Sequence, residues 1–167
     1  MHNELTKKDI QMMREELDHR RIELRPQLLE AVKEARAFGD LSENFEYKAA
    51  KQEKNRNESR IRYLENMIRT AKVLPDEPVS DGVSLYDKVT VFLEDEGDTE
   101  TYQIVTTMRQ DALRGRISKE SPMGKALLGR KVGETFHIQV NDSYGYDAKV
   151  LSIEKGEDDG SAPLTGF

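Results

Sequence analysis

The sequence predicts an α+β protein of two domains, an N-terminal antiparallel coiled-coil hairpin and a C-terminal antiparallel sheet carrying one short helix. Three observations predict it. Apolar residues recur at steps of three and four through roughly the first seventy positions, then at alternate positions from Val89 onward. A single interruption, Arg36-Ala37-Phe38-Gly39-Asp40-Leu41-Ser42-Glu43-Asn44, divides the helical stretch in two. The charge changes where the period does: residues 1–75 hold 16 Lys and Arg against 14 Asp and Glu, and residues 76–167 hold 10 against 18. The expected divisions are therefore residues 1–75 for the hairpin, 76–81 for a linker, 82–156 for the sheet domain and 157–167 for a flexible tail.

Composition narrows the class. Charged residues make up 35% and the net charge is -6, without the Pro, Ser and Gly bias of a disordered chain, which suits elongated helices with solvated faces. With no Cys, neither a disulfide framework nor a thiolate zinc site is available. No apolar run approaches the length of a membrane span, and Met1-His2-Asn3-Glu4 does not start a charged-then-apolar leader. The expectation is a cytoplasmic protein without a membrane partner.

Taken in order, Thr6-Lys7-Lys8-Asp9 has the spacing of a capping box, and the apolar stripe behind it runs Ile10, Met13, Leu17, then Leu24, Leu28, Ala31, Ala35 and Phe38. Arg20 and Arg21 break the stripe and Pro26 removes a backbone donor, so a kink or stutter is expected over 20–26. Gly39 suits the residue that ends a helix, and Asp40 with Glu43 suits the cap of the next. The second helix keeps a seven-residue seam of Tyr47, Ala50, Lys54, Asn57, Ile61, Leu64, Ile68 and Ala71. Two helices joined by so short a turn run antiparallel, each roughly 45–50 Å long at ~1.5 Å per residue. Pro75 and Pro78 end the helical region. Beyond them Val89, Val91 and Leu93, then Tyr102 and Ile104, then Phe136, Ile138 and Val140, then Ala148 and Val150 alternate as strands. Glu94–Asp98 and Asn141–Gly145 serve as hairpin loops. Ser121-Pro122 through Gly129 reads as one short helix, with Ser as N-cap, Pro at its first position and Gly past its end.

Little of this offers catalysis. There is no Walker sequence or dinucleotide loop, and His2, His19 and His137 suit structural or exposed roles. The basic flank Lys48, Lys51, Lys54, Arg56, Arg60 and Arg62, mixed with Glu46, Glu53 and Glu58, reads either as a solvated face or as a modest patch facing nucleic acid. The turn is the remaining candidate. It reads as a well-capped helical hairpin, and also as a probe whose two carboxylates, Asp40 and Glu43, meet a cation or proton of another molecule. Two carboxylates bind Mg²⁺ weakly by themselves, because that ion wants further oxygens. They complete a site and scarcely make one.

The stretch Glu34-Ala35-Arg36-Ala37-Phe38-Gly39-Asp40-Leu41-Ser42-Glu43-Asn44-Phe45-Glu46-Tyr47-Lys48-Ala49-Ala50-Lys51 resembles the tip signature of the bacterial GreA/GreB transcript cleavage factors. Ile117-Ser118, Ser121-Pro122-Met123-Gly124, Leu127-Leu128-Gly129 and Val132-Gly133-Glu134 are similar to that family's C-terminal domain, which is FKBP-like in fold. The resemblance implies a monomeric accessory protein, not itself an enzyme, whose coiled coil enters the secondary channel of a backtracked bacterial RNA polymerase. There Asp40 and Glu43 are expected to help hold an Mg²⁺ shared with the polymerase active site, with no metal bound stably by the chain alone. The polymerase then cuts its own extruded RNA 3′ end. Arg36, Phe45, Tyr47, Lys51 and Lys54 are the expected polymerase or RNA contacts, and the C-terminal domain docks at the channel rim.

Three departures accompany the resemblance. Phe45 stands where the family usually has a small residue, Thr106–Asp111 replaces a Gly- and acid-containing stretch, and the tail after Gly156 is extra. Two other readings compete: a channel-binding inhibitor of the same fold that does not promote cleavage, against which Asp40 and Glu43 argue, and a coiled-coil/FKBP-like binding module.

Overall fold

The computed structural model describes residues 3–39, 44–76 and 80–166. It forms two compact units. One spans Ile10–Lys72; the other spans Val73–Gly166 together with the N-terminal segment up to Asp9.

The first unit is the helical hairpin. Helix α1 (Lys7–Asp18) is followed by a π-helical segment, His19–Leu24, and by α2 (Arg25–Arg36). The expected stutter takes this form because a π turn carries an extra residue and re-phases the stripe after Arg20 and Arg21. Pro26, which has no N–H to give, falls where the π-helical segment passes into α2, the point at which the regular hydrogen-bond ladder is already broken. Helix α3 (Phe45–Thr70) returns alongside α2.

Every expected seam residue of α3 is buried or half-buried, with Asn57, Ile61 and Leu64 buried. Asn57 is held by a guanidinium N–H of Arg20 at 2.9 Å and donates back to the Arg20 carbonyl at 3.3 Å. Arg60, expected on the solvated flank, is buried instead and pairs bidentately with Glu16 at 2.7 and 3.1 Å. Burial pushes the Glu16 carboxyl up, but hydrogen bonds from Arg60 and Arg20 more than offset it and hold it below its ordinary value. Nearer the tip, Arg25 grips Glu58 at 2.7 and 2.9 Å. The shaft is therefore a narrow apolar seam reinforced by planar Arg–carboxylate forks.

The second unit opens with the two-residue strand β1 (Glu4–Leu5), and β2 (Lys72–Val73) precedes its main sequence. Its five-stranded sheet contains β3 (Lys88–Leu93), β4 (Asp98–Val105), β5 (Arg116–Ser118), β6 (Thr135–Gln139) and β7 (Gly145–Glu154), ordered β5-β4-β3-β7-β6. The sheet is mixed, not wholly antiparallel as expected: β5 runs parallel to β4, pairing Ile104 with Ile117. Two 3-10 turns, Thr107–Arg109 and Ala112–Arg114, make up most of the connection that brings the chain back in the same direction.

Alternation sends Val89, Val91, Leu93, Ile104, Phe136, Ile138, Ala148 and Val150 to one face, where Met123 and Leu127 of α4 (Pro122–Leu127) close the core. Ser121 caps α4, its hydroxyl accepting the Gly124 N–H at 3.1 Å. Val140, expected to continue the β6 alternation, lies past the strand end and is exposed.

The N-terminal residues belong here because Leu5 and Asp9 are both fully buried, and the Leu74 N–H donates to the Leu5 carbonyl at 2.8 Å. Residues 157–166, expected as a flexible tail, make specific contacts instead. Arg109, fully buried, donates to both carboxylate oxygens of Asp158 at 2.7 and 2.8 Å, to Asp9 at 3.2 Å and to the Ala162 carbonyl at 2.5 Å. Its guanidinium carbon stands 5.4 Å from the centre of the Tyr86 ring. Burial is the largest influence and disfavours its charge, but the hydrogen bonds from Arg109 to Asp158 and Asp9, with the neighbouring charge of Asp158 and the Tyr86 phenol, together outweigh it and hold Arg109 above its ordinary value. The Thr165 N–H donates to Met108, and Gly156 lets the backbone pass so close to Tyr86 that a Cβ would lie 2.2 Å from its carbonyl. The two C-terminal departures, Thr106–Asp111 and the tail, thus pack against each other. Among the described residues no helix is long and apolar enough to cross a membrane.

Candidate functional site at the hairpin tip

Helix α2 closes with ordinary terminal hydrogen bonds, Ala37 N–H to Glu34 at 3.1 Å and Phe38 N–H to Ala35 at 3.2 Å. Gly39 follows at φ 110°, a backbone conformation that a side chain resists, which is the helix-ending role expected of it. Asp40 and Glu43, the two candidate catalytic and metal-binding acids, lie outside the described residues. So do Leu41 and Ser42 between them.

The next described residue is Asn44, whose role sequence reasoning missed. Asn44, not Asp40, is the N-cap of α3: its side-chain oxygen accepts the Tyr47 N–H at 3.0 Å. Its amide nitrogen donates at 2.7 Å to the Ala35 carbonyl, one of the acceptors left over where α2 ends. One side chain therefore satisfies a donor of the helix that begins and an acceptor of the helix that ends, drawing together the two ends of the segment that carries the acids. The signal for it was local: an Asn three residues before Tyr47, the first seam position of α3.

Around this clasp the expected contact residues take up distinct places. The Arg36 guanidinium lies 5.5 Å from the Tyr47 ring centre and donates to the Tyr47 hydroxyl at 3.4 Å. That hydrogen bond, with Lys51 and Lys54 nearby, holds the Tyr47 phenol below its ordinary value. Phe45 is 79% exposed, with the Lys48 ammonium 5.6 Å from its ring centre. Lys51 is exposed and Lys54 half-buried on the seam. Phe38, expected as the last residue of the α2 stripe, is 74% exposed instead, because α2 stops at Arg36 and carries it off the seam. The structure thus gathers Arg36, Phe45, Tyr47 and Lys51 at one end of the hairpin, with Phe38 added and Lys54 one turn farther back.

Comparison with known proteins covers nearly the whole chain. Residues 3–73 match the family model described as transcription elongation factor, N-terminal, and residues 78–155 match transcription elongation factor, GreA/GreB, C-term. Among relatives, the transcription elongation factor GreA of Caldanaerobacter subterraneus subsp. tengcongensis is 44% identical over 137 residues, 81% of this chain and 87% of that protein. The GreA of Streptococcus sanguinis is 38% identical over 152 residues, 90% of this chain and 94% of that one. Among solved structures, the GreA factor homolog 1 of Thermus thermophilus aligns over 93% of this chain and all of that one, with 28% identity and a TM-score of 0.43.

Proposed function

The chain belongs to the GreA/GreB family of transcription elongation factors, and from that premise we propose that it enters the secondary channel of bacterial RNA polymerase and stimulates the polymerase to cleave its own backtracked transcript. The observation that carries the proposal is the Asn44 clasp. It joins the end of α2 to the start of α3, and the sequence carries both acids between those two ends.

The donor chemistry fits a shared Mg²⁺. Two carboxylates are hard oxygen ligands, and by themselves they leave most of the ion's coordination to other groups. Such an ion, when bound in a two-metal site, stabilises the attacking and leaving oxygens of a phosphoryl transfer. Asp40 and Glu43 would be the residues of this chain to hold such an ion, adding negative oxygens to ligands supplied mainly by the polymerase. Asp40 and Glu43 supply that charge and accept hydrogen bonds from the attacking water. The C-terminal unit docks at the channel rim, and the phosphodiester is broken by the polymerase.

The test is direct. Addition of the protein to a stalled, backtracked elongation complex releases short RNA fragments from the 3′ end within minutes. If it binds and slows elongation yet releases no fragment, it is a channel-blocking inhibitor. If it does not bind the polymerase, it is a binding module of another kind.

A further inference from the structure

We propose that Phe38 and Phe45 form a two-ring stacking site for unpaired RNA bases at the hairpin tip, backed by a basic collar of Arg36, Lys48 and Lys51. The proposal rests on the reading above for its ligand, the extruded RNA 3′ end. The two rings call for a partner independently of that reading.

A scattered exposed apolar residue needs no explanation. Here two phenylalanines, 74% and 79% exposed, flank one turn. The chain holds five Phe in all, and Phe136 shows the usual fate of that side chain, 4% exposed in the sheet core. The Asn44 clasp fixes the pair at a common end, since Phe38 follows its acceptor Ala35 by three residues and Phe45 follows Asn44 directly. Neither ring supports the seam, so the fold does not explain them.

The surrounding charges select the partner. From Phe45 to Lys54 the chain carries Lys48, Lys51 and Lys54 against Glu46 and Glu53, with Arg36 facing them from α2. The Lys48 ammonium sits by the Phe45 ring, and Arg36, Lys51 and Lys54 together pull down the Tyr47 phenol. An apolar protein surface gains nothing from such a collar. A single-stranded nucleic acid does, because it presents flat base faces and phosphates in alternation, and aromatic stacking with backbone cations is how such strands are held. The tip then does two things with one RNA end: the rings fix the bases, and the acids serve the scissile phosphate.

The experiment places 2-aminopurine at the extruded 3′ end of a backtracked complex and follows its fluorescence, which stacking quenches. The cleavage-deficient variant D40N/E43Q quenches the probe, and F38A/F45A added to that background abolishes the quenching. Phe45→Trp restores it and Phe45→Leu, apolar but not aromatic, does not. In the cleavage-competent background, F38A/F45A lowers the rate at saturating factor by roughly tenfold, within the range expected for the loss of one stacked base. Removing the base of the extruded nucleotide lowers the parent rate similarly and leaves the double variant unaffected. Equal quenching by D40N/E43Q with and without the rings overturns the proposal. So does a loss of polymerase affinity by F38A/F45A in complexes without extruded RNA, which would make the rings a protein contact. Quenching by a parent that stimulates no cleavage would refute the cleavage reading and leave the stacking site standing.

Discussion

Replacing Asp158 with Ala removes two of the four polar contacts of a guanidinium that water does not reach. Arg109 is fully buried, and Asp158 supplies its bidentate acceptors at 2.7 and 2.8 Å. What remains is the Ala162 carbonyl at 2.5 Å and Asp9 at 3.2 Å. Removing one partner of a buried ion pair costs about 3–5 kcal/mol, because the other charge is left under-solvated. Asp9 survives as a counter-charge and the Asp158 side chain keeps 13% of its surface in water, which places the expected loss at the lower end, about 3 kcal/mol. The measurement is urea denaturation followed by tyrosine emission, since Tyr86 stacks on Arg109 and three further tyrosines lie in the same unit. Asp159→Ala, at an exposed neighbour whose carboxylate accepts from Ser161, is the control and should shift the midpoint little. Deleting residues 157–167 should cost at least as much as Asp158→Ala. A loss below about 1 kcal/mol, the range of an exposed pair, would show that water replaces Asp158 freely and that the tail does not hold Arg109.

Asn44→Asp keeps an acceptor for the Tyr47 N–H but loses the donor to Ala35, so it should retain the helicity of α3 while lowering stimulated cleavage; unchanged cleavage would separate the clasp from the function. Leu64→Ala, at a fully buried seam position, should cost about 2–5 kcal/mol, against roughly 0.5–2 kcal/mol at most for removing a cap at Asn44; denaturation curves for the two order them. The Asp147 carboxylate, helped by Gln139, holds His137 above its ordinary value. A raised folded value means that this contribution is complete below the unfolded value near ~6.5 and is lost as pH rises through the folded one. NMR titration should find His137 above that value in the parent and lower in Asp147→Asn, and identical titrations would remove the pair from the account.

The two periodicities were legible because each reports a buried face directly: the α3 seam from Tyr47 to Ala71 and the inward set from Val89 to Val150 needed no knowledge of distant partners. The stutter at Arg20 and Arg21 was legible for the same reason, as a break in a stripe. The start of α3 was misplaced because two overlapping patterns compete there, Asp40 with Glu43 three residues on and Asn44 with Tyr47 three residues on. Spacing alone does not rank them; the acceptor at Ala35, nine positions upstream, favours Asn44. Arg109 gave no local signal at all, since its partners Asp9 and Asp158 stand 100 and 49 residues away. The parallel β5 escaped for a similar reason, being a three-residue strand whose direction is set by the turns before it. Phe38 fitted the stripe by spacing, and the end of α2 at Arg36 took it out.

The central claim is that the two tip acids act on chemistry and not on docking. The measurement is RNA cleavage in a backtracked complex across a Mg²⁺ titration, with polymerase binding recorded in parallel, for the parent, Asp40→Asn and Glu43→Gln. The amides keep size but lose the charge that holds a hard cation. Each variant should bind as the parent does, lose most stimulated cleavage at low Mg²⁺, and recover part of it as Mg²⁺ rises and refills a weakened site by mass action. Variants that cleave like the parent at every Mg²⁺ concentration, or that no longer bind the polymerase, would contradict it.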